Sequence, residues 1–181
     1  QKVKDSSKIW VNSPVLNVEK TTDKPFYKYG DIITYRIVLT QEQTGCVARN
    51  VTLQDVIDTQ GVRLLKDSVI LMDEKGNVAD ADVQINDDNT FLMSTGRTLV
   101  RDSRYSICDN DKGGLFEQVM YNPLDCQEQK SMIVEYQAAV IDAALAGQKV
   151  HNTAVADSSE KIPATGETET EVHSPILEIV K

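Results

Sequence analysis

Three polar side chains of this chain could react with one another: Lys20, Asp55 and Asn152. Each falls at an inward position of a run with strand-like alternation, Lys20 in line with Leu16 and Val18, Asp55 with Val51 and Leu53, Asn152 with Val150 and Ala154. A lysine amine is a nucleophile only when neutral, and burial among apolar groups favours that form. Burial also raises a carboxyl pKa, so Asp55 would keep a proton and hydrogen-bond the Asn152 carboxamide oxygen, polarising its carbon towards attack. Loss of ammonia would leave an amide joining Lys20 to Asn152, a reaction that needs neither cofactor nor metal. Closing a loop of 132 residues in this way would stabilise the fold by about 4–5 kcal/mol on the chain-entropy relation used for disulfides. The same residues also fit a buried, hydrogen-bonded lysine–aspartate pair with Asn152 as third partner and no covalent step. Spacing alone leaves both readings open.

The elements that must position these groups are strands. Residues 32–39 put Ile33, Tyr35, Ile37 and Leu39 on one face, with Thr34 and Arg36 facing away. Short strand candidates follow at 50–55, 69–72, 83–85 and 90–93, separated by turn residues such as Asp73-Glu74-Lys75-Gly76-Asn77 and Asn86-Asp87-Asp88-Asn89. Residues 132–140 form the next strong strand, and 142–146 a single helical turn ending at Gly147. The strand 150–156 closes the unit, and 157–172 read as a solvated Ser/Thr/Glu-rich connector or edge hairpin. Nothing has the length and period of a long amphipathic helix. Together these features predict an antiparallel β-sandwich.

The chain is 181 residues long, enough for one domain with a full core. Its net charge of −9 argues against nucleic acid or an anionic membrane as a partner. Three cysteines have no metal-like spacing. Cys108 and Cys126 bracket a polar, glycine-containing stretch that a disulfide could close, leaving Cys46 free; three unpaired thiols are the alternative. Ser13-Pro14-Val15-Leu16-Asn17-Val18-Glu19-Lys20 recurs as Ser174-Pro175-Ile176-Leu177-Glu178-Ile179-Val180-Lys181, which predicts tandem units. The division expected is a tail or linker at 1–12, one sandwich at 13–172, and the first strand of a following repeat at 173–181. Residues 101–129, with Gly113-Gly114, Pro123 and many charges, interrupt the strand rhythm as a long inserted excursion.

Val18-Glu19-Lys20, Tyr29-Gly30-Asp31-Ile32-Ile33-Thr34-Tyr35-Arg36-Ile37, Val51-Thr52-Leu53-Gln54-Asp55, Ile133-Val134-Glu135-Tyr136-Gln137-Ala138 and Asn152-Thr153-Ala154-Val155 occur in this order over residues 13–156. The set resembles the immunoglobulin-like isopeptide domains of Gram-positive fimbrial subunits and collagen-adhesin-type surface proteins. The resemblance implies an all-β, immunoglobulin-like antiparallel sandwich, a collagen-adhesin-type variant whose 101–129 loop is an addition to the pattern. It implies that Lys20 of the first strand bonds Asn152 of the last, assisted by Asp55. Some relatives use a glutamate on a different strand, which makes Glu135 the runner-up acid. It further implies a structural stalk or shaft module of an extracellular, cell-wall-anchored surface protein of a Gram-positive bacterium, with an autocatalytic crosslink and no turnover. Its partners would be neighbouring repeats of the same polypeptide, without direct membrane contact. The alternative is an adhesin domain whose 101–129 loop contacts a host extracellular protein or glycan.

Other motifs carry less. Asp109, Asp111 and the following glycines begin like a calcium loop but lack its later acidic residue, so a solvated acidic turn is the better reading. Ile162-Pro163-Ala164-Thr165-Gly166 looks like a sortase sorting motif, but Glu167-Thr168-Glu169-Thr170-Glu171 follows where an apolar segment and basic tail are required. His151 and His173 are the only histidines, at outward or connector positions, which disfavours histidine-based hydrolysis.

Overall fold

The computed structural model describes residues 13–43, 46–101 and 128–174. Alternating apolar and polar residues become strands with one buried and one wetter face. In chain order these are β1 (Leu16–Thr22), β2 (Phe26–Tyr27), β3 (Ile32–Gln41), β4 (Val47–Ala48), β5 (Thr52–Ile57), β6 (Val62–Leu64), β7 (Ile70–Met72) and β8 (Val78–Ala79). They continue with β9 (Asp82–Ile85), β10 (Thr90–Ser94), β11 (Thr98–Val100), β12 (Glu128–Gln129), β13 (Ser131–Val140), β14 (Lys149–Asp157) and β15 (Ala164–Val172). No α-helix occurs among the described residues. A 3-10 turn at Ala143–Leu145 is capped by Asp142, whose carboxylate accepts from the Ala144 N–H at 2.8 Å.

One sheet runs β1-β3-β13-β7-β8, with β6 also paired to β13; a second runs β2-β15-β14-β5-β10-β9. A small third sheet joins β12, β11 and β4. Pairing is antiparallel except for the short parallel contacts of β2 with β15 and β11 with β12. The core lies between the two large sheets. Ile33, Tyr35, Ile37 and Leu39 of β3 and Met132, Val134, Tyr136 and Ala138 of β13 face Leu53 and Ile57 of β5, Phe91 and Met93 of β10, and Val150, Ala154 and Ala156 of β14. β1 pairs with β3 on one side and also packs on β14 and β15, so it bridges the two sheets.

Local chemistry explains the Tyr29-Gly30-Asp31 motif. Gly30 takes a left-handed backbone (φ 87°), which a Cβ would disfavour, and its N–H donates to the Val140 carbonyl at 2.9 Å. The Asp31 carboxylate accepts the Lys28 N–H at 3.0 Å, and Val140 N–H returns a bond to the Asp31 carbonyl. The turn therefore locks β3 in register with the end of β13. Beside it, the Asp23 carboxylate accepts both the buried Tyr27 hydroxyl and the Thr34 N–H at 2.7 Å, fixing the crossing from β1 into the second sheet.

Two expectations are corrected. Of the two forms expected for 157–172, residues 164–172 take the hairpin and not the solvated connector: they are a nine-residue strand paired antiparallel along β14, so β14 does not close the unit. Its period-two signal is muted because the inward side is Gly166, Thr168, Thr170 and Val172, while Glu167, Glu169 and Glu171 alternate outward. The strand also absorbs most of the sortase-like motif, since Ala164, Thr165 and Gly166 pair with Ala156, Val155 and Ala154. Beyond Val172, His173 docks on the same unit: its N–H donates to the Tyr27 carbonyl at 2.7 Å and its ring stacks on Phe26 at 4.4 Å. The 1–12 tail, Cys108 and Cys126, the Asp109–Asp111 turn, nearly all of the 101–129 excursion and the repeat at 175–181 lie outside the described residues. Cys46 is free and partly exposed.

Candidate functional site

The alternation that places Leu16 and Val18 inward also buries Lys20, whose side chain has no exposed surface. On the other sheet β5 and β14 are neighbours, with Ala154 opposite Asp55 and Asn152 opposite Ile57. The Asp55 and Asn152 side chains therefore point into the same part of the core, both essentially unexposed. Lys20 reaches across from the first sheet. Its Nζ donates to an Asp55 carboxylate oxygen, forming a buried ion pair, and to Asn152 Oδ1 at 2.7 Å.

A fourth member went unrecognised in the sequence. Tyr136, on β13, is buried, and its hydroxyl donates to Asp55 Oδ1 at 2.6 Å. The Tyr136 hydroxyl oxygen in turn accepts from Asn152 Nδ2 at 2.5 Å and from Lys20 Nζ at 3.1 Å. Tyr35 stands opposite Tyr136 across the β3–β13 ladder, and the two rings stack with centroids 5.0 Å apart. Lys20 Nζ lies 5.3 and 5.5 Å from the Tyr35 and Tyr136 centroids, so aromatic faces wall the amine. The one available signal for Tyr136 was its place on the inward face of 132–140, between Val134 and Ala138. Tyrosine is so often an ordinary core residue that this parity names no role.

The hydrogen-bonding inventory fixes the orientation of the carboxamide. A lysine amine in its charged form only donates, so the oxygen of Asn152 must face Lys20 and the NH2 must face the tyrosine oxygen. Here the geometry differs from the sequence expectation. Asp55 was expected to donate to the Asn152 oxygen. Instead Lys20 occupies one of its oxygens and the Tyr136 hydroxyl the other, and Tyr136 stands between Asp55 and the Asn152 nitrogen.

Burial dominates the electrostatics. It pushes Lys20 down to about 8, against the opposing pull of Asp55, and raises Asp55 above the usual carboxylate range, against the opposing pull of Lys20. Both shifts bring the charged pair closer to its neutral form, amine plus carboxylic acid. The Tyr136 hydroxyl is raised too, by burial first and by the Asp55 charge second. It is therefore a proton donor at neutral pH and not a phenolate.

Glu135 is not part of this cluster. Its neighbours Val134 and Tyr136 point inward, and its own carboxylate pairs with Arg36 on the outer face of the first sheet, both side chains partly exposed. His151 and His173 are also outside, beside Glu169 and Glu171. Among the described residues no helix is long and apolar enough to cross a membrane.

No protein-family model and no curated protein sequence matches the chain. Solved structures do share its fold. The 35 kDa C-terminal fragment of the major pilin of Streptococcus agalactiae aligns over 88% of this chain and 56% of its own, with TM-score 0.54 and 13% identity. The major pilin subunit of Bacillus cereus aligns over 89% of this chain and 40% of its own, with TM-score 0.53 and 12% identity. The N-terminal domain of a Streptococcus gordonii adhesin aligns over 88% and 32%, with TM-score 0.53 and 14% identity. The chain thus spans between about a third and just over half of these proteins, and what it has in common with them is the immunoglobulin-like β-sandwich.

Proposed function

We propose that this chain is a structural shaft module of a Gram-positive cell-surface adhesin or pilus-like protein, made resistant to unfolding by an autocatalytic amide between Lys20 and Asn152. One observation carries the reading: an amine and a carboxamide 2.7 Å apart, sealed in the core together with a single carboxylate. A structural role alone gives little reason to bury a lysine, because an apolar replacement of similar volume is commonly as stable as a buried ion pair. The sharing of fold with pilin and adhesin domains supports the same reading.

The step balances without a cofactor. The Lys20 ammonium gives a proton to the Asp55 carboxylate, and the neutral amine attacks Cγ of Asn152. The Nζ–Cγ bond forms, the Cγ–Nδ2 bond breaks, ammonia leaves, and Asp55 ends as the carboxylic acid. That end state suits it, since with the lysine charge gone the burial that raises its pKa is unopposed. The aromatic wall of Tyr35, Tyr136 and Phe91 keeps the site dry, which favours the neutral amine and protects the product from hydrolysis.

Intact-protein mass tests this directly. The folded chain should weigh one ammonia less than its sequence, and Lys20→Ala and Asn152→Ala should each restore the full mass. A folded wild-type chain at full sequence mass would overturn the crosslink.

A further inference from the structure

Resting on that crosslink, we propose that Tyr136 is a catalytic residue: its hydroxyl relays the proton from Asp55 to the departing Asn152 nitrogen. The observation is the order of the hydrogen bonds. Asp55 Oδ1 accepts from Tyr136 at 2.6 Å, and the tyrosine oxygen accepts from Asn152 Nδ2 at 2.5 Å, so one hydroxyl connects the acid to the leaving group. The short hydrogen bond of that nitrogen goes to the Tyr136 oxygen, and the two Asp55 oxygens are taken by Lys20 and Tyr136.

The chemistry requires such a connection. An amide nitrogen leaves as ammonia and not as the amide anion, so it must gain a proton as the Cγ–Nδ2 bond breaks. The protons to be moved start on Lys20 Nζ, and Nζ contacts the other Asp55 oxygen, Oδ2. The Lys20 ammonium first gives one proton to Asp55, which carries it at Oδ1, facing Tyr136. As the Cγ–Nδ2 bond breaks, the hydrogen bonds through the phenol reverse their resting direction: Tyr136 gives its own proton to Nδ2 and takes the Asp55 proton in its place, while the second proton of Nζ passes to Oδ2, so that Asp55 ends as the carboxylic acid. The tyrosine is unchanged over the step, and one ammonia leaves for one amide formed. No separated phenolate arises, which matters because burial and the Asp55 charge both disfavour it.

Tyr35 supplies the control. It is equally buried, stacks on Tyr136 and lies as near to Lys20, but its hydroxyl makes no hydrogen bond to Asp55, so it is not connected to the acid. A phenol that only walls the pocket can lose its oxygen without effect on the reaction; one that carries the proton cannot.

The experiment follows crosslinking in time. Chain synthesised and held in denaturant is diluted to refold at neutral pH, and the loss of ammonia is read by intact mass for wild type, Tyr35→Phe and Tyr136→Phe. Near-ultraviolet circular dichroism reports folding in parallel. Tyr136→Phe should fold and crosslink slower by roughly 10²–10⁴-fold, the usual span for loss of a proton-transfer group, while Tyr35→Phe keeps the wild-type rate. Crosslinking of Tyr136→Phe at the wild-type rate overturns the relay. A second measurement does not depend on how the variant folds. The wild-type rate across H2O/D2O mixtures should curve with deuterium content, because two protons move together, and a linear dependence also overturns the relay. Wild type that folds and never loses ammonia overturns the crosslink itself, a result distinct from either.

Discussion

A Cβ added to Gly166 would stand 2.6 Å from the carbonyl oxygen of Val18 and 2.7 Å from its Cγ1. The clash is with backbone, so no rotamer change relieves it, and β1 could only move away from β15. Lys20 is two residues further along β1, and it meets Asn152 because β1 lies this close to β14 and β15. Gly166→Ala should therefore cost about 1–3 kcal/mol, as overpacking does, and should slow crosslinking by moving Nζ out of reach. Thermal unfolding and intact mass after refolding check both. Wild-type crosslinking in Gly166→Ala would mean that the lysine is positioned by β3 alone.

The two acids should behave oppositely. Asp55→Asn keeps the shape but loses the proton acceptor, so the folded chain should keep its full mass and lose the roughly 4–5 kcal/mol of the crosslink. Unpairing the buried lysine adds to that loss. Glu135→Gln removes only a partly exposed partner of Arg36, worth about 0–1 kcal/mol after solvent screening, and should crosslink normally. Full mass in Glu135→Gln would move the acid to β13.

How far the sequence could be read follows from which side chains carry a periodic signal. Leu16, Val18 and Lys20, Val51, Leu53 and Asp55, and Val150, Asn152 and Ala154 each alternate cleanly, and all nine are buried. The fold and three members of the cluster were legible for that reason. β15 was legible only as one of two alternatives, because a strand whose inward residues are glycine, threonine and one valine also looks like a polar linker. Tyr136 was legible as core and illegible as a participant. Its function depends on which oxygen its hydroxyl reaches, which is a property of β13 facing β5 and β14 across the sandwich and not of the residues around it in the chain. Glu135 stood one residue away with the right functional group and the wrong face.

The pKa shifts set a pH profile for crosslinking. Between the raised pKa of Asp55 and the lowered one of Lys20, near 8, the pair holds a single proton and can pass through amine plus acid. Below the lower limit the pair gains a proton, Lys20 stays charged, and attack stops. Above the upper limit the pair loses its proton and Asp55 has none to relay. The rate should thus be greatest where the pair holds one proton and fall on both sides of that window, one limb lying near 8 and the other above the ordinary carboxylate range. Refolding into buffers of stepped pH, followed by mass, measures it. A rate still climbing well above 8 would mean that amine deprotonation alone is limiting and that Asp55 contributes no proton.

Pulling the chain from its two ends gives the remaining prediction. The crosslink would join β1 to β14, so tension entering at residue 13 passes through Lys20 into Asn152 and by-passes the chain between them, a sequence separation of 132. Those residues stay folded or collapsed within a covalent loop, and only the short segments outside it, including β15, can extend. At roughly 3.4 Å per extended residue, the loop withholds about 450 Å of contour length. Single-molecule stretching of Lys20→Ala or Asn152→Ala should therefore show an unfolding step longer than wild type by about that amount. Because the difference is a length and not a force, it is independent of how much each substitution weakens the packing. Equal step lengths in wild type and Lys20→Ala would mean that the load reaches the interior of the sandwich and that no covalent bond shields it.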